Sequence, residues 1–302
     1  MRILLIAPKK IPSTPRLDYS YWNFYIPLAE LGHTVEFFDT TLYGNRKLRN
    51  KIDCFKPDLL FCIMTGAPMS VTPEEPWEVL EEETRKGNIK TFNWFCDDSY
   101  RFDSFTKNVC KKFHWCSTPE KKYIEDYKSI GYNNVVYSTW HANASLYSSF
   151  STSAKTCDKV FVGGMHADRH KSLETLKNLG HDVVAYAGKV SFEDMLYMYS
   201  TSNICLNFTK DASNFQTQMK ARIFEIIATG SVLLTEYTED ISNCFESDEI
   251  LTFTTLEEAA SMMDAITRDP LSVEETRCKG YERFIREHDS KVRLKKLLED
   301  IR

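Results

Sequence analysis

The chain lacks most of the features that assign 302 residues to a class at sight. Its nine cysteines are an odd number, scattered from Cys54 to Cys278 with no C-x-x-C pair. That excludes a disulfide framework and a zinc signature alike. Most lie in apolar, strand-like surroundings such as Phe61-Cys62-Ile63 and Ile204-Cys205-Leu206, where a free cysteine behaves as a small hydrophobe. A reducing compartment, the cytoplasm, is the expectation. No segment approaches the length of a membrane-spanning helix. The apolar run within Met1–Lys10 is too short for a secretory signal and has no small-residue cleavage site, so it reads as a first buried strand. A net charge of −5 gives no global attraction to nucleic acid or to an anionic membrane. A peripheral membrane contact and a DNA acceptor stay open without support.

Glycine-rich phosphate loops are also missing. The first loop reads Ala7-Pro-Lys-Lys-Ile11, neither half carries G-x-G-x-x-G after its first strand, and no Walker loop occurs. Nicotinamide, flavin and P-loop nucleotide sites are thereby set aside.

What is present is the composition of a globular chain, 42% hydrophobic and 27% charged, long enough for two domains. Apolar, β-branched runs alternate with segments of helical period. The strand candidates are Ile3–Ala7, Val35–Phe38, Leu59–Met64, Lys90–Phe95, Lys112–Cys116 and Val135–Tyr137. After a polar stretch come Lys159–Val162, Val183–Ala187, Ile204–Phe208, Val232–Thr235 and Ile250–Phe253. Helices are expected over Tyr21–Leu31, Pro76–Lys86 and His170–Leu179. Such alternation implies α/β architecture, parallel sheets with helices on both faces.

One pattern occurs twice. Leu28-Ala-Glu-Leu-Gly-His-Thr-Val35 is echoed by Leu176-Lys-Asn-Leu-Gly-His-Asp-Val183. Each reads as a helix end, a glycine suited to the left-handed C-cap and the next strand. Each follows a first strand and loop, so the chain is expected to hold two similar α/β domains. The boundary falls in the polar segment Ser145–Asp158, giving domains of 1–148 and 149–302.

The most informative segment is Met219-Lys-Ala-Arg-Ile-Phe-Glu-Ile-Ile-Ala-Thr-Gly-Ser-Val-Leu-Leu-Thr235. Lys220 and Arg222 precede or open a short helix, where unpaired N–H groups also point outward, and together these favour an anion. Arginine offers a planar fork to phosphate oxygens and lysine a point charge. Glu225, in the first turn, could accept from two vicinal hydroxyls. Phosphates plus a diol are what a nucleoside diphosphate-sugar presents. Taken alone, these charges are as often a solvated helix start.

The pattern K-x-R-x-F-E-x-x-A-x-G with its following strand resembles the C-terminal half of CgeB-like, group-1-type glycosyltransferases. The resemblance runs on through Phe245-Glu246, Leu256-Glu-Glu-Ala259, Asp269-Pro270, Gly280 and Arg283-Phe-Ile-Arg-Glu-His288. It reaches back to Phe161-Val-Gly-Gly164, Arg169 and Leu206-Asn-Phe208, and so covers roughly residues 158–300. The N-terminal half matches only loosely. The resemblance implies a GT-B fold of two facing Rossmann-like domains, with the C-terminal helix packing back on the first. It implies a nucleotide-sugar donor in the second domain, UDP-linked by preference, and no cofactor or metal. Lys220 and Arg222 would hold the diphosphate with a further contact from Arg169, and Glu225 the ribose. Gly163, Gly164, Gly188, Asn207 and Phe224 would complete the donor site. One position departs: many related retaining enzymes carry an acidic residue eight positions before the glutamate, and Thr217 stands there.

Two further constellations carry chemistry. Asp97-Asp98 follows an apolar strand, and ligands bind at the C-terminal ends of strands in open parallel sheets, so either could act as general base on an acceptor hydroxyl. An N-cap pair is the competing reading. His141, just before the polar segment, is a second base candidate. His166 and His170 are four apart but lack the H-E-x-x-H order and an obvious third ligand, so zinc is not expected. The expectation is a glycosyltransferase acting on an unidentified hydroxyl acceptor: polysaccharide, lipid-linked sugar, protein or modified nucleobase. The alternatives are a non-catalytic nucleotide-sugar-binding protein and a nucleotide-sugar epimerase of the same fold.

Overall fold

The structure, a computed structural model, describes residues 1–11, 14–66, 75–148, 154–165, 168–188, 190–211 and 216–302. Contacts divide the chain into two compact units. One comprises Met1–Thr139 and Ser290–Arg302, the other Trp140–Asp289.

The first unit holds β1 (Arg2–Ala7), β2 (Thr34–Asp39), β3 (Leu59–Cys62), β4 (Lys90–Trp94), β5 (Trp115–Thr118) and β6 (Val135–Tyr137), in sheet order β2-β1-β3-β4-β5-β6. The second holds β7 (Cys157–Val162), β8 (Val184–Tyr186), β9 (Ser202–Asn207), β10 (Leu233–Glu236) and β11 (Leu251–Phe253), in order β11-β10-β9-β7-β8. Every pairing is parallel. Read from the other edge, the second order is the first without β6. In each half the second strand lies outside the first, and the third lies on the first strand's other side. The duplication visible in the sequence is therefore one of topology. The strand order reverses between β1 and β3 and again between β7 and β9, and such switch points open a crevice at the strands' C-terminal ends.

The repeated Leu-Gly-His ends two helices in the same way. Gly32 and Gly180 adopt φ of 84° and 95°, which a side chain would resist. His33 N–H donates to Leu28 O and His181 N–H to Leu176 O, at 3.3 and 2.9 Å. These bonds satisfy carbonyls that the helix end leaves open.

Core packing follows from alternation along strands covered on both faces. In the second unit Val160, Val162, Cys205 and Leu233 face Leu196, Ile223, Phe224 and Ile227. Phe161, Ile204, Leu206, Leu234 and Phe253 face Leu176, Ala259 and Met263 on the opposite side. All nine cysteines are free. Among the described residues no helix is long and apolar enough to cross a membrane.

Local departures from the sequence reading have physical causes. Lys112 closes a 3₁₀ turn, Cys110–Lys112, and the strand begins only at Trp115. The helix expected over Tyr21–Leu31 opens with a π turn, Tyr21–Tyr25, closed by Ile26 N–H on Tyr21 O. Pro27 has no N–H to give to Asn23, so a regular ladder is interrupted there. The composition-based boundary at 148/149 lies beyond the contact division after Thr139, because Ala142 and Tyr147 are fully buried in the second core. Residues 149–153, inside that polar segment, lie outside the described residues. At the other end the helix Ser290–Asp300 belongs to the first unit, with Leu294, Leu297, Leu298 and Ile301 buried. Lys90 Nζ caps it, donating to the Ile301 carbonyl at 2.8 Å and to that of Arg302.

The helix Glu274–Arg283 runs so close to residue 249 that a Cβ on Gly280 would lie 2.3 Å from the Glu249 carbonyl oxygen. Arg283 clamps the same region, binding Glu249 at 2.8 Å, Glu287 at 2.7 Å and Glu246 at 3.3 Å. Overpacking of this kind costs about 1–3 kcal/mol, set against about 1 kcal/mol gained by replacing glycine in a helix. Gly280→Ala is therefore expected to lower the melting temperature by about 2–6 °C. A melting temperature equal to wild type in calorimetry would mean that the helix retreats freely.

Candidate functional site

The second unit's switch point gathers most of the expected donor residues. After β7 the chain runs through Gly163 and Gly164. β9 ends on Asn207, β10 ends on Glu236, and the helix Ala221–Ala228 starts beside them with Lys220 as its N-cap residue. Arg222, in the first turn, reaches back across β7. A Cβ on Gly163 would lie 2.5 Å from its Nη2, so only glycine leaves the guanidinium this path. Arg222 Nη1 donates to Asn207 Oδ1 at 2.8 Å, and its guanidinium lies 5.2 Å from the centre of the Phe161 ring.

A second guanidinium stands close by. Arg169, 2% exposed at the start of the helix Arg169–Asn178, donates to the Gly164 carbonyl at 2.7 Å and to the Lys210 carbonyl at 3.4 Å. It lies 5.7 Å from the same Phe161 ring. Burial, and then repulsion from Arg222, pull the Arg169 guanidinium down to about 10, and the Glu236 carboxylate opposes them. Among the described residues neither arginine has a carboxylate within ion-pair distance. Two cations on one aromatic ring, half desolvated and bonded only to neutral oxygens, form a site that an anion would relieve. Beside Arg169 opens a cavity of about 140 Å³ lined by Asp168, Ser172, Lys210, Glu236 and Thr254.

Glu225 is 8% exposed, and its Oε1 accepts from the Tyr147 hydroxyl at 3.0 Å. Burial pushes its carboxyl above the ordinary value, against the Tyr147 bond and the Arg222 charge. Tyr147 is itself held edge-on by Phe192, with ring centres 5.1 Å apart. Asn207 spends its amide on two side chains of the fold. It bridges Arg222 to Thr235, whose hydroxyl accepts from Nδ2 at 2.8 Å. Thr217 Oγ1 donates to Thr238 Oγ1 at 3.1 Å.

Several expected site residues lie elsewhere. Phe224 is fully buried between Phe245 and His288 in the second core, where it anchors the helix. Gly188 sits in a left-handed turn after β8 with open space where a side chain would project, and Lys189 beyond it lies outside the described residues. His141, 1% exposed, belongs to the second unit next to the bridge between Ala142 and Asp289, and its burial does not fit a base open to a substrate hydroxyl. His166, one of the spaced histidines, is likewise outside the described residues. Among those described, no group of three His, Cys, Asp or Glu could hold a metal. A larger cavity, about 410 Å³, lies at the opposite ends of these strands near Lys155, Asn203, Val232 and Leu271. Arg277 is paired with Glu274 and Asp158 with Lys159, and Lys155 Nζ donates to the Ser200 carbonyl at 3.0 Å, so this cavity offers no pair of guanidiniums to an anion.

In the first unit the neighbours Asp97 and Asp98 part company after β4. Asp97 is the half-exposed N-cap residue of the turn Asp98–Arg101, and Cys96 Sγ donates to it at 3.2 Å. Asp98 is 1% exposed and accepts from the Tyr127 hydroxyl at 3.1 Å. Of the two base candidates, only Asp97 can meet a substrate. Sequence reasoning also passed over Phe161, Tyr147 and Thr235 as parts of the site. Tyr147 is 78 positions from Glu225 and carries no motif.

The model of the family described as Glycosyl transferase-like matches residues 159–299. Among curated proteins none matches the chain. Solved structures are similar over its whole length. Sucrose-phosphate synthase from Thermosynechococcus elongatus is 12% identical, covering 99% of this chain and 98% of that one, with a TM-score of 0.64. Alr3699/HepE from Anabaena, in complex with UDP, is 10% identical, covering 99% of each chain, with a TM-score of 0.60. A trehalose-6-phosphate protein from E. coli, bound with UDP-2-fluoro glucose, is 8% identical, covering 100% of this chain and 99% of that one, with a TM-score of 0.65.

Burial lifts the Asp98 carboxyl from 3.8 to about 6 against the hydroxyls of Thr118, Thr106 and Tyr127, with Asp97 adding to the rise. A carboxyl raised by folding stabilises the fold below its unfolded value and loses that contribution as pH climbs through the folded one. A rise of this size corresponds to about 3 kcal/mol. Stability of wild type minus that of Asp98→Asn, measured by denaturant unfolding, should therefore fall by about this amount between pH 4 and pH 7. A flat difference would mean that the carboxylate stays ionised inside the fold. Residues 159–299 match the glycosyl transferase-like family model, and the chain as a whole has the GT-B fold of these solved structures.

Proposed function

We propose that the chain transfers a sugar from a nucleoside diphosphate-sugar to a hydroxyl acceptor. The observation that carries this is the pair of guanidiniums, Arg169 and Arg222, on the Phe161 ring at the second unit's switch point. They lack carboxylate partners among the described residues and stand where a doubly wound sheet opens its crevice. A leaving diphosphate gathers negative charge as the glycosidic bond breaks, and cations fixed in advance lower that barrier. In this reaction the cations are side chains, Arg222, Arg169 and Lys220, and no metal is called on. UDP is the favoured nucleotide, because UDP and a UDP-sugar analogue occupy the structurally similar Anabaena and E. coli proteins.

Glu225, oriented by Tyr147, is the group suited to the ribose diol, being close enough to Arg222 to feel its charge. Asp97 is the candidate general base on the acceptor side. Nine free cysteines fit a reducing compartment, the cytoplasm.

The two donor contacts differ in kind, and calorimetric titration with UDP and with inorganic pyrophosphate separates them. Arg222→Ala is expected to weaken both ligands, Glu225→Gln only UDP, each by about 10- to 100-fold for one charge-assisted contact. Normal UDP binding by Glu225→Gln would rule out the ribose role. Incubation with UDP-glucose is expected to release UDP slowly even without acceptor, as donor leaks to water. Tight binding with no release over days would instead mark a non-catalytic binder.

A further inference from the structure

We infer that Asn207 is a positioning residue that fixes Arg222 for the diphosphate without neutralising it, and that the uncharged amide is the reason the charge stays available. This rests on the donor reading proposed above. Three bonds run in one direction: Arg222 Nη1 to Asn207 Oδ1 at 2.8 Å, Asn207 Nδ2 to Thr235 Oγ1 at 2.8 Å, and Thr235 Oγ1 to the Glu236 carbonyl at 3.1 Å. A guanidinium only donates, so the amide oxygen must face it, and the NH₂ group is left to the threonine. Among uncharged side chains, an amide accepts and donates from atoms on a single carbon. Asn207 and Thr235 are both fully buried, paired in register on adjacent strands β9 and β10. The arginine is thus referenced to the sheet itself.

The choice of a neutral acceptor is the telling feature. Buried arginines are ordinarily matched by carboxylates, which satisfy the fork and cancel the charge. Here Arg222 leans on an amide and Arg169 on the carbonyls of Gly164 and Lys210. Gly163 adds the open space, and the Phe161 face adds attraction that a ring gives a cation without consuming its charge. An aspartate at 207 would keep the bond from Arg222, and the Thr235 hydroxyl can turn and donate to it at the expense of its own bond to the Glu236 carbonyl, which the new ion pair with Arg222 offsets. It would differ by one negative charge beside the guanidinium.

That difference separates a positioning role from a merely structural one. Calorimetric titrations of the full chain with UDP and with inorganic pyrophosphate, next to thermal unfolding without ligand, compare wild type, Asn207→Asp and Asn207→Ala. Asn207→Asp is expected to melt no lower than wild type yet bind both ligands about 10- to 100-fold more weakly. Asn207→Ala, which leaves the cation uncancelled but loosely held, should melt lower and lose less affinity than Asn207→Asp. The order of the two variants thus inverts between stability and binding. Binding by Asn207→Asp equal to wild type overturns the inference and leaves the donor reading standing, as does affinity that merely tracks melting temperature. Wild type binding neither ligand overturns both. If Asn207→Asp does not fold, Thr235→Val takes its place. It removes the amide's anchor, so pyrophosphate affinity should fall several-fold, and unchanged affinity overturns the inference.

Discussion

The placing of two guanidiniums on one aromatic ring is the local constraint on which the strand ends of the second unit converge. Arg169 and Arg222 lie on the same Phe161 ring at the end of β7, with the Glu236 and Glu225 carboxylates near enough to feel them but no carboxylate, among the described residues, bonded to either. Holding like charges together requires rigid supports, and each support has a structural origin. Glycine at 163 makes room, an apolar ring at 161 lies beneath, and carbonyls and an amide at the ends of parallel strands take up the N–H groups. The helix that presents Arg222 is pinned from behind by Phe224 among Phe245 and His288. Its rear face is core, and its first turn carries the proposed donor contacts. An anion placed against the two guanidiniums would be favoured by both charges, which is the basis of the donor site proposed above.

The first unit shows how adjacent identical residues receive different work from the fold. Asp97 and Asp98 are the same chemical group one position apart. Where the strand gives way to a helical turn, successive side chains point apart, one toward solvent and one toward Tyr127. A buried carboxylic acid with a value near 6 is a structural element with a pH dependence, whereas its neighbour keeps an ordinary carboxylate's access to water.

Much of this was legible in the residues alone. Strand positions were readable because parallel strands covered on both faces are continuous apolar runs, and the doubled Leu-Gly-His marked the doubled topology. The charged first turn of Ala221–Ala228 was legible because lysine, arginine and glutamate at those spacings are unusual before an apolar helix. What stayed hidden depended on contacts distant in sequence. Phe224 sits within the motif yet faces inward, and only the packing of residues 245 and 288 decides that. Tyr147 comes to Glu225 from 78 positions away, and Asn207 proved to face an arginine and a threonine. His141 read as an accessible base because composition carries no information about burial.

The return of Ser290–Asp300 to the first unit makes that unit discontinuous in sequence. On the ribosome its sheet would emerge complete, then wait while all of Trp140–Asp289 is made. At typical rates of synthesis that is roughly ten to thirty seconds. Until then the places of Leu294, Leu297, Leu298 and Ile301 are empty, and Lys90 has no helix end to cap. The nascent first unit is therefore an incomplete fold with an apolar seam exposed. Its closure waits for the synthesis of Ser290–Asp300, and a chain released before that point would present the seam to chaperones and proteases.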